Sequence, residues 1–364
     1  MEKSPGKRFL MMAGVFVTVV AILGSAAFYF VFWRGSPGET KDILIPRGAS
    51  AGNVITLLHD NGVIENKMAF KYLLRFTGVQ KKLRAGEFRF QAHMRLIDAM
   101  FTLYHGEPIL HPVTIPEGYN ARQIAGLIAK AGLGTEQKFL AYVMNPETPK
   151  KYKLTSPTLE GFLYPDTYSF SRIDGEERIA DRMVNEFFKR FDSGMRAEAE
   201  KQGFTLERLV TLASIIEKET GHPDERTMVA SVFHNRLKKH MRLESDPTII
   251  YGIENYDGDI KFKDIKKAHP YNTYTIKGLP PGPISSPGFA TLHATLHPAD
   301  TKYLFFVGNN AGRHMFSETY EQHLKYVDQY QRKRNPLPKA APATQSKREP
   351  KSVQRKLAGK KGKK

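Results

Sequence analysis

Residues 212–220 read LASIIEKET, with Gly221 and Pro223 just beyond. An apolar helical run thus ends on two carboxylates, Glu217 and Glu219. A carboxyl that keeps its proton near neutral pH can protonate a leaving oxygen. Two residues apart on a helix is roughly 200° around the axis. The pair therefore flanks the apolar stripe on opposite sides and cannot be the facing carboxylates of a two-acid glycosidase. At most one of them faces a reaction. Glu219 is the better acid, because it lies nearer the helix C-terminus, where exposed carbonyls disfavour the ionised form. Partial burial would add to that effect. Glu217, further inside the turn, is placed to pair with a cation or a tyrosine. The periodicity leaves a plainer reading open, with both as surface charges on a mostly buried helix.

Other chemistries find little support. The chain has no cysteine, which excludes disulfides, thiolate metal sites and a cysteine nucleophile. His293 and His297 have the i, i+4 spacing of a zinc helix. They read HATLH rather than HExxH, and Pro298 follows at once, so no metal site is expected. Ser214 sits mid-helix without an evident base. There is no GxGxxG or P-loop pattern, and no cofactor is called for.

The elements that must position the glutamates can be read around them. Thr205 is a suitable N-cap for a helix from Leu206 to about Thr220, with Leu206, Leu209, Val210, Leu212, Ala213 and Ile216 on one broad stripe. A second helix should run from Arg226 to Lys238. Upstream, LEGFLYPDTYSF (159–170) is an aromatic-rich turn interrupting a mostly helical stretch. Downstream come MRLESDPTIIYGI (241–253) and HPYNTYTIKGLPPGPISSPG (269–288). Residues 278–288 hold four Pro and three Gly, so that segment is stiff and shaped. TKYLFFVG (301–308) reads as a buried strand, and HMFSETYEQHLKYV as a strand followed by a helix.

The N-terminal third has a different character. Phe9 to Trp33 runs 25 residues without a charge, after Lys3, Lys7 and Arg8 and with aromatics crowding its far end. This predicts a retained transmembrane anchor with a cytoplasmic N-terminus and the bulk of the chain outside. An internal repeat comes after it. ILIPRGASAGNVITLLHDNGVI (43–64) matches VTIPEGYNARQIAGLIAKAGLG (113–134) at a constant offset of 70. Each copy reads as strand, Pro-x-Gly turn, then an amphipathic helix ending at Gly. A helix over 67–76, a strand in RAGEFRFQAHM and a helix near Leu96–Leu103 lie between the copies. Small units of this kind resemble the LysM wall-binding module, although a purely structural spacer would read the same way.

The net charge of +18 is concentrated in residues 332–364, which hold 13 Lys+Arg and one acid. The rest of the chain carries about +6, an ordinary value. The tail is too poor in large apolar residues to order itself. It suits nonspecific attraction to anionic surfaces, although a merely solubilising appendage would read the same way, and no specific nucleic-acid partner is expected. The expected plan is a cytoplasmic arm (1–8), an anchor (9–33), a linker (34–42), a duplicated LysM-like β/α region (43–134), a catalytic domain (135–331) and the basic tail (332–364). The class is α+β.

Taken together, the anchor, the repeats, EGFLYPDTY, LASIIEKET, VASVFHNRL, MRLESDPTIIYG, YNTYTIKGLPPGPISSPG and His297-Pro298 make a chain that resembles the endolytic murein transglycosylases of the YceG-like family. The likeness covers about residues 40–330 in order. It implies cleavage of the MurNAc–GlcNAc bond in nascent peptidoglycan glycan strands, leaving 1,6-anhydro-N-acetylmuramyl ends. It places the catalytic acid at Glu219, with Glu219-Thr220 similar to the Glu-Ser pair of other lytic transglycosylases. It makes Asn272, Tyr274, Asp246 and Tyr271 candidates for substrate binding and transition-state stabilisation, Asn272 and Tyr274 first. Glu217, Glu160 and Asp166 would support the loop or orient Glu219. The implied partners are glycan strands, peptidoglycan synthases, and elongation or division proteins at the cytoplasmic membrane. A non-catalytic wall-binding scaffold and a water-using muramidase are the rival readings.

Overall fold

The computed structural model describes residues 5–29, 38–254 and 256–332. Helix α1 (Pro5–Phe28) opens the chain. Among the described residues, no helix is long and apolar enough to cross a membrane. Residues 1–4 of the expected arm, 30–33 of the expected anchor, 34–37 of the expected linker and the basic tail from residue 333 lie outside the described residues.

Next come β1 (Thr40–Ile45), α2 (Ala51–Asp60), α3 (Lys67–Phe76), β2 (Gly86–Gln91) and α4 (Leu96–His105). They are succeeded by β3 (His111–Thr114), α5 (Ala121–Lys130), α6 (Glu136–Val143), β4 (Thr167–Phe170), α7 (Gly175–Arg190) and α8 (Ser193–Lys201). The last group before residue 303 is α9 (Leu206–Glu219), α10 (Arg226–Lys238), α11 (Asp246–Tyr251), α12 (Phe262–Lys266) and α13 (Phe289–Leu296). The class is mixed α/β, with helices dominating small two-stranded antiparallel sheets.

The internal repeat is a repeat of conformation. Gly48 and Gly118 take φ of 72° and 73°, and Gly62 and Gly132 take 72° and 68°. These left-handed positions favour glycine. The helix exits also match: Val63 N–H bonds Leu58 O, as Leu133 N–H bonds Ile128 O. Each copy's strand pairs with a strand beyond two helices, β1 with β2 and β3 with β4.

The two copies do not form one small domain, which corrects the expected 43–134 unit. The first copy packs with α3, β2 and α4 around Ile43, Leu58, Phe70, Phe88 and Leu103. The second enters the core of the downstream residues, where Ile124 and Ile128 join Phe162, Phe187, Val210 and Leu292. Packing therefore divides between residues 103 and 113. The reason lies in strand pairing: β3 takes its partner from Thr167–Phe170, just after Asp166, so the second copy folds only with the segments downstream of it. Buried Glu87 links the cores, bonding Arg172 at 2.9 Å and His111 at 2.5 Å.

Residues from 303 form a separate compact unit. It comprises the hairpin β5 (Phe305–Gly308) and β6 (His314–Ser317), followed by α14 (Tyr320–Val327). The expected buried strand over 301–308 is shorter than its apolar run, and only Val307 of β5 is buried. A two-stranded hairpin lacks the neighbours needed to enclose a strand on both faces.

Candidate active site

Helix α9 begins as its sequence dictates. The Thr205 hydroxyl accepts the Arg208 N–H at 3.3 Å, and every residue from Leu209 to Ile216 is buried. The helix stops at Glu219, with Thr220 extended as its C-cap. The Thr220 hydroxyl accepts the His222 N–H at 3.1 Å, which fixes the turn after the helix.

The two glutamates diverge as the helical spacing requires. Glu217 accepts the Gly288 N–H at 2.9 Å, at the start of α13, and lies 3.7 Å from the Arg226 guanidinium. Arg226 also reaches Glu117 at 3.5 Å, so one cation is shared between two carboxylates. Burial and the Glu217 charge push the Glu117 carboxyl upward. Glu217 thus ties the end of α9 to α10 and to the start of α13.

Glu219 turns the other way. Its Oε1 accepts the Ser245 hydroxyl at 2.5 Å. Burial drives its carboxyl up to about 7, and the nearby Asp246 charge adds to this against Ser245 and Arg236. The leading cause is desolvation by the surrounding residues, rather than the helix-end potential expected from sequence. The site therefore holds a carboxyl that is substantially protonated at neutral pH.

Three short segments frame it. Ser245 is held by a buried threonine pair: its N–H donates to Thr273 Oγ1 at 2.9 Å, and its carbonyl accepts from Thr248 Oγ1 at 2.6 Å. Asp246 begins α11 and accepts the Tyr274 hydroxyl at 2.7 Å. Burial and that bond raise the Tyr274 phenol, so it remains a neutral donor. Asp246 and Tyr274 thus come together beside Glu219.

Asn272 does not join them as a ligand, which corrects the role expected of it. It is 2% exposed. Its Nδ2 donates to the carbonyls of Asp264, Ile265 and Lys267, at 2.8–3.2 Å. Its Oδ1 accepts the Tyr274 N–H at 3.0 Å. With donors and acceptor engaged by backbone, Asn272 fixes the loop that carries Tyr274.

Beside this cluster runs an open cleft of about 810 Å³, whose walls include Glu160, Arg122, Lys218, Tyr251 and Tyr271. Helix α11 connects the two, with Asp246 at its start and Pro247, Ile250 and Tyr251 on the cleft. Tyr251 and Tyr271 pack with ring centroids 4.8 Å apart. Burial raises the Tyr271 phenol to about 12. Glu160 is buried, accepts the Ala121 N–H at 3.1 Å and accepts the Tyr251 hydroxyl at 3.1 Å. Burial brings its carboxyl to about 7 as well. It joins α5 to α11 and supports the wall. Asp166 serves elsewhere: it bonds Arg190 at 3.1 Å, and its carbonyl accepts the Ile115 N–H beside β3.

The Pro/Gly segment earns its composition in packing. Gly161 has φ 83°, and a Cβ there would lie 2.4 Å from Pro283 Cβ. Residues 159–170 and 278–288 are thereby pressed together. Gly161→Ala combines left-handed strain with overpacking and should cost about 3 kcal/mol of stability. A urea titration would detect that loss, and an unchanged midpoint would contradict the packing argument.

Sequence reasoning missed Ser245 and Arg236. Ser245 occupies the N-cap position of α11 but makes no side-chain cap bond, because its hydroxyl goes to Glu219 instead. A serine before Asp-Pro reads as an ordinary cap, so nothing local singled it out. The His293 and His297 rings lie 4.2 Å apart and tilted by 47°, and His297 Nδ1 lies 3.4 Å from Glu198.

The chain is similar to several known proteins along most of its length. The profile of the YceG-like family matches residues 43–329. The endolytic murein transglycosylase of Bacillus subtilis (strain 168) is 31% identical over 307 residues, covering 80% of this chain and 85% of that protein. That of Streptococcus pneumoniae (D39) is 27% identical over 362 residues, covering 89% of this chain and 65% of its own length. A crystal structure of a YceG-like protein from Listeria monocytogenes is 33% identical, with a TM-score of 0.55, over 80% of this chain and 99% of that one. By the extent of the profile match and the likeness of these relatives, the chain belongs to the YceG-like family.

Proposed function

We propose that this protein is an endolytic murein transglycosylase that cuts nascent glycan strands and leaves 1,6-anhydro-N-acetylmuramyl ends. The observation that carries this reading is the half-buried Glu219 carboxyl, raised to about 7 and held by Ser245 beside Asp246. It is supported by the likeness to the Bacillus and Streptococcus proteins, which are named endolytic murein transglycosylases.

In this mechanism Glu219 acts twice. Protonated, it donates to the oxygen between MurNAc and GlcNAc as that bond breaks. As the carboxylate, it takes the proton from the muramyl C6 hydroxyl, whose oxygen closes on C1. One proton leaves and one returns, and water is not consumed. Positive charge develops at C1 and the ring oxygen. Asp246, oriented by the Tyr274 hydroxyl, is the anion placed to stabilise it. The aromatic and polar cleft beside α11 suits an extended glycan, with tyrosine rings for sugar faces.

The uncharged stretch 9–33 after Lys3, Lys7 and Arg8 supports a single-pass anchor with the catalytic residues outside the cytoplasmic membrane. Synthases and elongation or division proteins that handle the same strands are the corresponding partners. The duplicated β/α segments support wall binding alongside catalysis.

Mass spectrometry of strand ends tests the reading. Uncrosslinked glycan treated with the purified protein should gain termini one water lighter than reducing MurNAc ends. Reducing ends instead would make the protein a muramidase, and no new ends would make it a scaffold.

A further inference from the structure

Helix α3 divides into three sectors around its axis. Ala69, Phe70, Leu73 and Leu74 face the first core and are buried. Met68, Tyr72 and Phe76 succeed one another at intervals of four and are 55%, 48% and 87% exposed. Lys67, Lys71 and Arg75 form the third sector, each one residue before a member of the apolar row. Spacing of four puts each row on one face, so an exposed apolar stripe lies directly beside a basic one.

Folding does not account for this arrangement. The core is complete without Phe76, and a side chain so exposed gains little from burial. The charge pattern extends beyond the helix. Residues 66–86 contain Lys67, Lys71, Arg75, Lys81, Lys82 and Arg84 and no acid. Lys67 spends part of its charge on Asp60 at 3.2 Å. Among the described residues, Lys71 and Arg75 make no ion pair, and both are exposed.

We infer that the α3 face of the first core, with the basic turn after it, docks on the surface of an anionic phospholipid bilayer. Met68, Tyr72 and Phe76 enter the interfacial layer, while Lys71, Arg75, Lys81 and Lys82 meet lipid phosphates. Aromatic and thioether side chains beside lysine and arginine are the composition of an interfacial helix face. The phosphates of an anionic leaflet would supply the counter-charge that these cations lack, beside an acyl layer for the apolar row. The consequence for function is geometric: docking through α3 would fix the height of the first core at the membrane. The inference is independent of the chemistry at Glu219, and its failure would leave that reading intact.

The absence of cysteine allows a direct test in the full chain. A single cysteine replaces exposed Gln80 and carries an environment-sensitive dye, with Glu200→Cys as a control on α8. The chain is reconstituted into phosphatidylglycerol or phosphatidylcholine vesicles with brominated acyl chains. The dye at position 80 should be quenched in phosphatidylglycerol, far less in phosphatidylcholine, while the dye at 200 stays unquenched. Lys71→Gln and Arg75→Gln should each weaken the docked state about fivefold, the effect of one basic residue near such a surface. Phe76→Ser should reduce quenching at unchanged charge. Equal quenching in both lipids, or indifference to all three substitutions, would overturn the inference. So would a dye response to insoluble murein but not to vesicles, which would make the face a wall contact.

Discussion

Glu219→Gln should lower strand cleavage by about 10³-fold, in keeping with the 10²–10⁴ that general acid–base catalysis supplies. Glutamine fills the same space and can still take the Ser245 hydroxyl at its carbonyl oxygen. Binding of uncrosslinked strands should therefore survive while anhydro ends vanish. The pH dependence comes from the same carboxyl. The group must be protonated to act as an acid, and burial sets its value at about 7. Cleavage should fall about tenfold per pH unit above that value. The substitution should also raise stability in alkaline buffer. In the unfolded chain the carboxyl has its ordinary value of 4.5, so between 4.5 and about 7 the unfolded state releases the proton first. Folding stability contributed by the protonated group is full below 4.5 and declines as pH rises through 7. Glutamine removes that decline. At pH 8 the variant should melt above the parent, and at pH 4 the two should nearly coincide. A Glu219→Gln protein that still releases anhydro ends at the parental rate would remove Glu219 from the chemistry.

How much of this could be read beforehand depended on whether the determining contacts were local. The opposite orientations of Glu217 and Glu219 come from helical spacing alone, and the structure sends one to Arg226 and Gly288 and the other to Ser245. The limits of α3 and α10 fall where the apolar period and its breakers put them. The repeat is legible because glycines at matching positions impose matching turns. What escapes is pairing across distance. Nothing in residues 113–134 says that β3 pairs with β4, and that choice moves the second copy into the larger core. Asn272 has the type and motif of a ligand, yet three carbonyls in and just after α12 claim its amide. An asparagine in a loop has the same letter whether it faces a substrate or its own backbone. The rise in the Glu219 carboxyl has the direction that a helix end suggests, but its leading cause is tertiary burial, which a single helix cannot reveal.

Arg236→Met should disable the site from behind. Arg236 is nearly buried on α10, and burial lowers its guanidinium below the ordinary arginine value. Its Nη1 donates to Leu243 O at 2.9 Å, to Arg242 O at 3.2 Å and to Glu244 Oε2 at 3.2 Å. These bonds hold a bend in which Glu244 adopts φ 49°, a left-handed conformation unfavourable for a residue with a side chain. The next residue is Ser245, whose hydroxyl meets Glu219. Methionine fills similar volume but leaves the buried Leu243 carbonyl without that donor, so stability should drop by about 3 kcal/mol. The relaxed bend should carry Ser245 away from Glu219 and reduce cleavage about 10²-fold, since misplacement by an ångström can cost that much. Loss of the Arg236 charge also removes an influence that lowers the Glu219 carboxyl, so the alkaline limb of the pH profile should shift upward. Glu244→Ala provides the contrast. Its carboxylate is substantially exposed, and an exposed pair contributes no more than about 1 kcal/mol. If Arg236→Met and Glu244→Ala behave alike in denaturant and in pH profile, the bend does not depend on Arg236. If only Arg236→Met loses stability and shifts the profile, the geometry of the acid is set from the α10 side.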